Sequence, residues 1–371
     1  MKKILFITNI PAPYRVDFFN ELGKYVGLTV LFEAKSANNQ KIHFNWNLDT
    51  VKNFKAVFLS EGDCYEKQVN WSILPFLKRN HFNEIIITNY ANFTEMAALL
   101  YLKVHHIPYY METDGGRIKA DEIGIKKAFK KFLISGAKGY FSPSAGADDY
   151  LTYYGADRTK ICRYPFTSLK QSDLLKRPLT EKEKKYWKSK LGVTEPKMVL
   201  GVGRFIPLKH WNDLIQAAAT LSGQVGVYLV GGKATQEYLN LMNKLHLKHV
   251  HFVDFQTKEG TAAYYKAADL FVLPSSGEAW GLVINEAMGY GLPVITTDQC
   301  VAGLALVENG KNGYIVPVGD TSQIAKHIRD ILNHPEMQSA MSEESLRRIQ
   351  PYMVENMAKV HESQLFKQKT N

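Results

Sequence analysis

Short runs of β-branched and aromatic residues, apolar at nearly every position, recur along the chain with stretches of helical period between them. In the first half the runs are KILFIT (3–8), LTVLF (28–32), AVFLS (56–60), EIIIT (84–88), PYYME (108–112) and GYFSP (139–143). Helical patterns fall between several of them, at 15–24, 92–104 and 121–135. Strands apolar on both faces that alternate with helices predict a parallel sheet covered on both sides. The alternation stops over 165–197, where three prolines and a dense run of lysines surround no apolar strand. It resumes with MVLGVG (198–203), VGVYLV (225–230), VHFVDF (250–255), LFVLP (270–274), PVITT (293–297) and GYIVPV (313–318), and helical patterns follow from about 320. The expected architecture is α/β: two Rossmann-like, doubly wound domains facing a cleft, over 1–170 and 197–350. Residues 171–196 read as a linker with one exposed helix, and 351–371 as a helix packing back on the first domain.

Bulk composition narrows the class. At 371 residues, 45% hydrophobic and 22% charged, the chain is long enough for two cores and has the balance of a soluble protein. Cys64, Cys162 and Cys300 lie far apart with no CxxC spacing, which fits a reducing compartment and offers no disulfide framework. The opening MKKILFITNI has the charge of a signal peptide, but its apolar run is broken by Thr8 and Asn9 and leads into PAPYR. A first buried strand is the reading, and no stretch approaches the roughly 18 apolar residues of a membrane span. The expected location is cytoplasmic. The net charge of +10 is uneven: residues 1–170 carry 23 Lys and Arg against 16 Asp and Glu, and 171–371 carry 23 against 20. The first half therefore holds most of the field that attracts anions. Its basic residues are scattered without interleaved aromatics, so a nucleic-acid partner is not expected.

Two stretches of the second half carry candidate chemistry. In LGVGRFIPLKHWNDL (200–214) a strand ends in Gly201-Val202-Gly203, with Arg204 and Lys209 following. Glycines let backbone N–H groups approach an anion, and the two cations reach the same place. A glycine turn flanked by solvated bases explains the same letters. Pro207 and Leu208 stand where a dinucleotide fingerprint needs its third glycine, and no Gly-Lys-Ser/Thr of a P-loop is present. In PSSGEAWGLVINEAMGYGLPV (274–294), Glu278 and Glu286 lie eight positions apart around an otherwise apolar helix. Carboxylates accept paired hydrogen bonds from vicinal hydroxyls. The amides of Trp280, Gly281 and Leu282 open the helix, where N–H groups are unpaired. Singly, either glutamate is also explained as a helix-dipole charge or a surface residue.

GVGRF with its lysine, FVDF through YYKAADLFVLPSS, GEAWGLVINEAMGYGLPVITT and VENGKNGYIVP follow in order over about 120 residues. Together they resemble the donor domain of the family 4 retaining glycosyltransferases of bacterial polysaccharide assembly, which have the GT-B fold, and the spaced glutamates match that family's E-x7-E motif. The resemblance implies that Arg204 and Lys209 hold the donor diphosphate, that Glu278 contacts the transferred sugar and that Glu286 contacts the nucleotide ribose. It implies backbone donors at Gly281 and Leu282, with Gly203 and Phe255 counted among the donor-binding residues. Trp280 stands where relatives usually carry phenylalanine and is expected to shape the sugar pocket. No metal and no cofactor are expected, since two cations do the electrostatic work and there is no Asp-x-Asp. The donor is expected to be UDP- or GDP-linked and the acceptor a glycan or a lipid-linked sugar.

The first half departs from that family: NIPAPYRVDFF (9–19) replaces the usual glycine pair, and RYPFTS (163–168) the usual linker. Tyr14 and Arg15 are candidates to face the acceptor, against a plain proline-bounded helix start. Asp114, in PYYMETDGGRIK (108–119), lies at a strand's carboxyl end where relatives carry a His or Asp. It is a candidate to orient the acceptor hydroxyl or take its proton, against an Asp-Gly turn. Glu112 is the weaker choice, since alternation buries it or turns it away. In IGIKKAFKKFLISGAK (123–138), Ile125, Phe129, Phe132 and Leu133 share a helical face and Lys126, Lys127, Lys130 and Lys131 lie on others. A core helix with a solvated lysine face is preferred over a basic face resting on anionic membrane, which would make the protein peripheral on the inner face of the cell membrane. The histidines offer no metal spacing. Two rivals stand beside the transferase reading: a nucleotide-sugar epimerase or hydrolase of the same fold, and a non-catalytic anion-binding module.

Overall fold

Every apolar run of the first half becomes a strand. In the computed structural model seven parallel strands lie in the order Lys55–Phe58, Gly27–Phe32, Lys3–Thr8, Glu84–Ile87, Tyr110–Glu112, Gly139–Ser142 and Ile161–Arg163. Lys3–Thr8 is central, pairing from Lys3↔Gly27 to Thr8↔Phe32 on one side and with Glu84–Ile87 on the other. Ile4, Leu5, Phe6 and Ile7 are all buried, as strands covered on both faces require. Ile161–Arg163 escaped the sequence reading. It is a three-residue edge strand, half-buried to exposed, and an edge does not need the apolar signature of a central strand. The structure describes residues 1–37, 50–64, 67–88, 90, 92–118, 122 and 124–367.

The second sheet runs Val250–Val253, Val225–Val230, Lys197–Val202, Leu270–Leu273, Val294–Thr297 and Gly313–Val316, again all parallel. In both sheets the first strand of the unit sits inside, and the chain turns back to its other side with a later strand. In the second sheet that reversal lies between Lys197–Val202 and Leu270–Leu273. Ligands of doubly wound sheets bind outside the carboxyl ends of the strands at this switch point.

The chain divides into one unit of Met1–Ser168 with Tyr352–Asn371 and another of Leu169–Pro351. The last helix, Val354–Phe366, thus belongs with the first unit, where it packs on helix Pro13–Leu22. Residues 171–196 are not a linker with an exposed helix but part of the second unit. Helix Glu181–Leu191 packs on Lys258–Ala267 and buries two of its lysines. Lys188 Nζ lies 2.7 Å from Asp269 Oδ2 and Lys184 Nζ 3.4 Å from Oδ1, while the Met198 amide donates to the same carboxylate at 2.8 Å. Burial alone would raise the Asp269 carboxyl, but Lys184 and Lys188 hold it below its ordinary range. A lysine run that looks solvated in the sequence is here half counter-charge.

The helix expected over 121–135 is described from Gly124 to Ile134, and residues 121 and 123 lie outside the described residues. It is not a core helix: Ile125 is 82% exposed, and Phe129 and Phe132 are exposed with it, while only Leu133 and Ile134 are buried. No helix among the described residues is long and apolar enough to cross a membrane.

Candidate functional site

In the second unit the switch point is built from two loops. The strand Lys197–Val202 ends at Gly203, whose φ of +153° few other residues adopt. The Gly203 amide donates to the Val230 carbonyl at 2.9 Å, so this N–H is spent inside the sheet and not offered to an anion. Beneath the turn lies Trp211, fully buried, its Nε1 donating to the Arg204 carbonyl at 3.1 Å. That bond sets the loop's path while the Arg204 side chain stays exposed, with no partner among the described residues. The short 3-10 turn Pro207–Lys209 follows.

The second loop follows the strand Leu270–Leu273 and is fastened to the first through one carbonyl. Leu208 O accepts from Ser275 Oγ at 2.8 Å and from the Ser276 amide at 2.9 Å. This staple brings Lys209 Nζ to 2.5 Å from Glu278 Oε1, and Ser275 Oγ lies 2.7 Å from the same oxygen, its single proton shared between Glu278 and Leu208 O. Both charged side chains are only 13% exposed. On its far side the loop is held by the Glu278 amide donating to Gln299 O at 3.0 Å and the Ala302 amide to Trp280 O at 2.9 Å. Gly281, at φ +106°, caps helix Leu282–Gly289, and a Cβ there would meet Cys300 Sγ at 2.8 Å. The amides of Gly281 and Leu282 find no acceptor among the described residues.

Glu286 lies one turn into that helix, and its Oε2 accepts from the Tyr265 hydroxyl at 3.0 Å. Burial, then the Glu286 charge, pushes that hydroxyl well above the ordinary tyrosine value, so it stays a donor. Phe255 is half exposed just beyond Val250–Val253. Trp280 departs from expectation: its ring is 2% exposed and its Nε1 donates to Asn285 Oδ1 at 2.8 Å. The indole is an internal brace of the loop, which leaves Trp280 no ring face with which to shape a sugar pocket.

The first unit gathers its candidates around one guanidinium. Pro13 occupies the first position of helix Pro13–Leu22, so Tyr14 and Arg15 fall in its first turn. Arg15 is buried and binds Glu112 through Nη1 and Asp114 through Nη2, while the Tyr14 hydroxyl donates to Asp114 Oδ2 at 3.5 Å. The Glu112 side chain is wholly buried and Asp114 is 35% exposed. Glu112, the weaker candidate from alternation, is thus the hub. Its other oxygen faces His361 Nε2 at 2.7 Å, a contact the sequence reading missed. The available signal was a histidine at a buried position of the stripe Val354, Met357, Ala358, His361, Leu365. Burial would raise the Glu112 carboxyl, but Arg15 and His361 hold it low. At Asp114 desolvation, with the Glu112 charge behind it, outweighs Arg15 and raises the carboxyl.

Nearby, Glu33 accepts from Thr94 Oγ1 at 2.6 Å and Asn92 Nδ2 at 3.2 Å. Glu95 is buried, with neither side-chain oxygen hydrogen-bonded among the described residues. Among the described residues no group of three His, Cys, Asp or Glu is placed to hold a metal ion.

The model of the family of glycosyl transferases, group 1, matches residues 183–348, the span that contains both loops of the switch point. Those residues are similar to a group 1 glycosyl transferase domain. A Haemophilus influenzae protein described as an uncharacterized glycosyltransferase is 28% identical over 175 residues, 46% of this chain and 49% of its own length. The N-acetyl-alpha-D-glucosaminyl L-malate synthase of Bacillus anthracis is 32% identical over 174 residues, 45% of this chain and 43% of that protein. The chain therefore spans about half the length of the curated relatives it matches. Anabaena HepE, solved in complex with UDP and glucose, is 17% identical and superposes with a TM-score of 0.78 over 98% of this chain and 99% of its own. That likeness extends the GT-B type of fold to both units.

The matched residues thus bring Gly203, Arg204, Lys209, Glu278, Gly281 and Leu282 to one strand-end region, and leave the Trp280 ring inside. Outside the domain, Glu95 supplies a pH handle. Burial, and after it the Glu33 charge, pushes its carboxyl up to about 8 from 4.5. Between those values the native state keeps a proton that the unfolded chain has lost, so the stability tied to this group is full below pH 4.5 and falls as pH rises towards 8. Glu95→Gln removes the titration. It is expected to raise the melting temperature at pH 8 and leave it nearly unchanged at pH 5, and equal shifts at both pH values would contradict this.

Proposed function

We propose that the chain is a retaining glycosyltransferase that works without a metal ion. It moves a sugar from a UDP- or GDP-linked donor to a hydroxyl of a glycan or lipid-linked acceptor in surface polysaccharide biosynthesis. The observation that carries the reading is the Lys209–Glu278 pair, stapled through Leu208 beside the amides of Gly281 and Leu282 and the Arg204 guanidinium, none of which has a partner among the described residues. Without donor, Glu278 neutralises Lys209 and holds it in place. A diphosphate brings more negative charge, draws Lys209 and Arg204, and frees Glu278 to accept hydrogen bonds from the sugar. Glu286 does the same for the ribose. As the anomeric carbon–oxygen bond breaks, its electron pair passes to the diphosphate, where the two cations stabilise it. The acceptor oxygen bonds to the anomeric carbon on the face the phosphate leaves, and its proton passes to the leaving phosphate. Asp114, more basic than an ordinary aspartate, accepts a hydrogen bond from the acceptor hydroxyl and orients it. The UDP-glucose complex of HepE and the sugar-transferring name of the Bacillus anthracis relative support a nucleotide-sugar donor.

An apolar acceptor portion and a membrane surface are read from helix Gly124–Ile134. Lys126 and Lys131 are exposed there, with no partner among the described residues, beside exposed Ile125, Phe129 and Phe132. A cavity of about 440 Å³ opens against this helix, walled by Met96, Phe129, Leu133 and Tyr150 and reaching Thr113 and Gly115 on either side of Asp114. Each lysine adds about 1 kcal/mol of attraction to an anionic surface. The test has three arms. Saturating UDP or GDP should stabilise the fold, by about 2.7 kcal/mol at a hundredfold excess over Kd. The product anomer, read by proton NMR, should match the donor's. Phosphatidylglycerol vesicles should sediment the protein and phosphatidylcholine vesicles should not. No nucleotide response sinks the transferase reading, and full conversion of donor without acceptor favours the epimerase or hydrolase.

A further inference from the structure

Helix Val354–Phe366 carries one polar residue into its apolar seam. His361 is fully buried, its ring stacked on Phe141 with centroids 4.1 Å apart and 17° between planes. Phe18 and Tyr164 close the other sides, at 4.8 and 5.0 Å between centroids. Nothing in that setting requires a histidine for packing, since an aromatic or aliphatic side chain fills the same space. What distinguishes it is its two nitrogens. Nδ1 faces the Met357 carbonyl at 2.8 Å and Nε2 faces Glu112 Oε2 at 2.7 Å. Each nitrogen thus sits within hydrogen-bonding distance of a polar oxygen, which no aliphatic or phenyl ring at this position could meet.

The contact continues outward. The second oxygen of Glu112 binds Arg15, the second Nη of Arg15 binds Asp114, and Asp114 also accepts from Tyr14. Of the charged links in this chain only Asp114 has a substantially exposed side chain. Each charged group has an opposite or donating neighbour, so the position of the outermost carboxylate depends on the innermost ring. The helix that supplies the ring enters the first unit only after the chain has completed the second.

We propose that His361 is a positioning residue for the acceptor carboxylate. Through Glu112 and Arg15 it fixes Asp114 in the orientation that accepts the hydrogen bond of the acceptor hydroxyl, so the acceptor site of the first unit is complete only with the C-terminal helix in place. This rests on the transferase reading above and extends it to a residue outside the matched domain. It also gives the returning helix a part in acceptor binding beyond covering helix Pro13–Leu22.

The test uses the full chain, UDP-glucose or GDP-mannose as the nucleotide response selects, and n-octyl β-D-glucopyranoside as acceptor probe. His361→Phe keeps the ring stack and removes both ring nitrogens. His361→Gln keeps a donor for Glu112. The phenylalanine variant is expected to lose about tenfold or more in kcat/KM for the acceptor. Binding of the free nucleoside diphosphate, by calorimetry, should stay within about twofold, and the glutamine variant should recover most of the loss. Unchanged acceptor kinetics in the phenylalanine variant, or a parallel fall in nucleotide binding, overturns the proposal, the latter by showing a purely structural role. Should that variant fail to fold, Glu112→Gln, equal in volume, reads the middle link: a selective acceptor defect supports the proposal and normal transfer overturns it. If the unmodified chain binds nucleotide yet transfers nothing to the probe, the acceptor reading itself falls, a separate outcome that takes this inference with it.

Discussion

Lys209→Ala is expected to lower kcat about 10²- to 10³-fold, the usual cost of removing one preorganised group that meets charge developing in the transition state. The effect follows from where Lys209 sits. It is held by Glu278 at 2.5 Å and is only 13% exposed, so its charge acts in a partly desolvated place. Truncation removes half of the cation pair that stabilises the leaving diphosphate and leaves Glu278, among the described residues, with the Ser275 hydroxyl that it shares with the Leu208 carbonyl. The fold should survive, because the Leu208 carbonyl, which joins the two loops, is backbone and stays. Steady-state turnover beside a circular-dichroism melt checks both parts. Near-normal kcat in a folded variant would remove the assignment of this lysine, and with it the observation on which the transferase mechanism stands.

Arg15→Met should produce the largest loss of stability. The substitution keeps much of the side chain's length and removes the guanidinium that bridges Glu112 and Asp114. Glu112, wholly buried, is left with His361 as its partner among the described residues. Breaking a buried charge network by removing one member costs about 3–5 kcal/mol, against about 0–1 kcal/mol for an exposed pair. A fall in melting temperature on the order of 10 °C follows for a unit of the size of Met1–Ser168 with Tyr352–Asn371. The pH dependence is a second check. Arg15 and His361 hold the Glu112 carboxyl below 4.5, so its contribution is present above that value and is lost as pH falls through the lower, folded value. The deficit of the variant should therefore be large at pH 7 and shrink towards pH 4. A deficit equal at both would assign the loss to packing.

The regularities of the chain are legible without a fold. Twelve apolar runs predicted twelve strands, because a strand buried on both faces must be apolar at consecutive positions. The spacing of Glu278 and Glu286 and the Gly-Val-Gly turn with its two cations marked the switch point of the second sheet. Locally encoded features of this kind survive in a linear reading. Three others did not. The lysine run over 181–191 looked solvated because Asp269, which neutralises Lys184 and Lys188, lies more than eighty residues away. The apolar stripe Ile125, Phe129 and Phe132 looked like core because a stripe does not say which surface it meets. Trp280 looked like a pocket wall because its partner Asn285 is an ordinary helix residue until the turn at Gly281 brings the two together.

By itself the sequence determined the two sheets, the register of apolar faces, the glutamate pair and the cations beside the glycine turn. These depend on residue type and short-range spacing, which backbone geometry converts directly into strands, turns and helix faces. Only the tertiary structure decided which of those groups meet. It set Lys209 against Glu278 across 69 residues, spent the Gly203 amide inside the sheet, and joined His361 to Glu112 across 249. The physical reason is that a buried charge must find a partner wherever the fold places one. That partner is chosen by the packing of distant elements, and no local pattern records it.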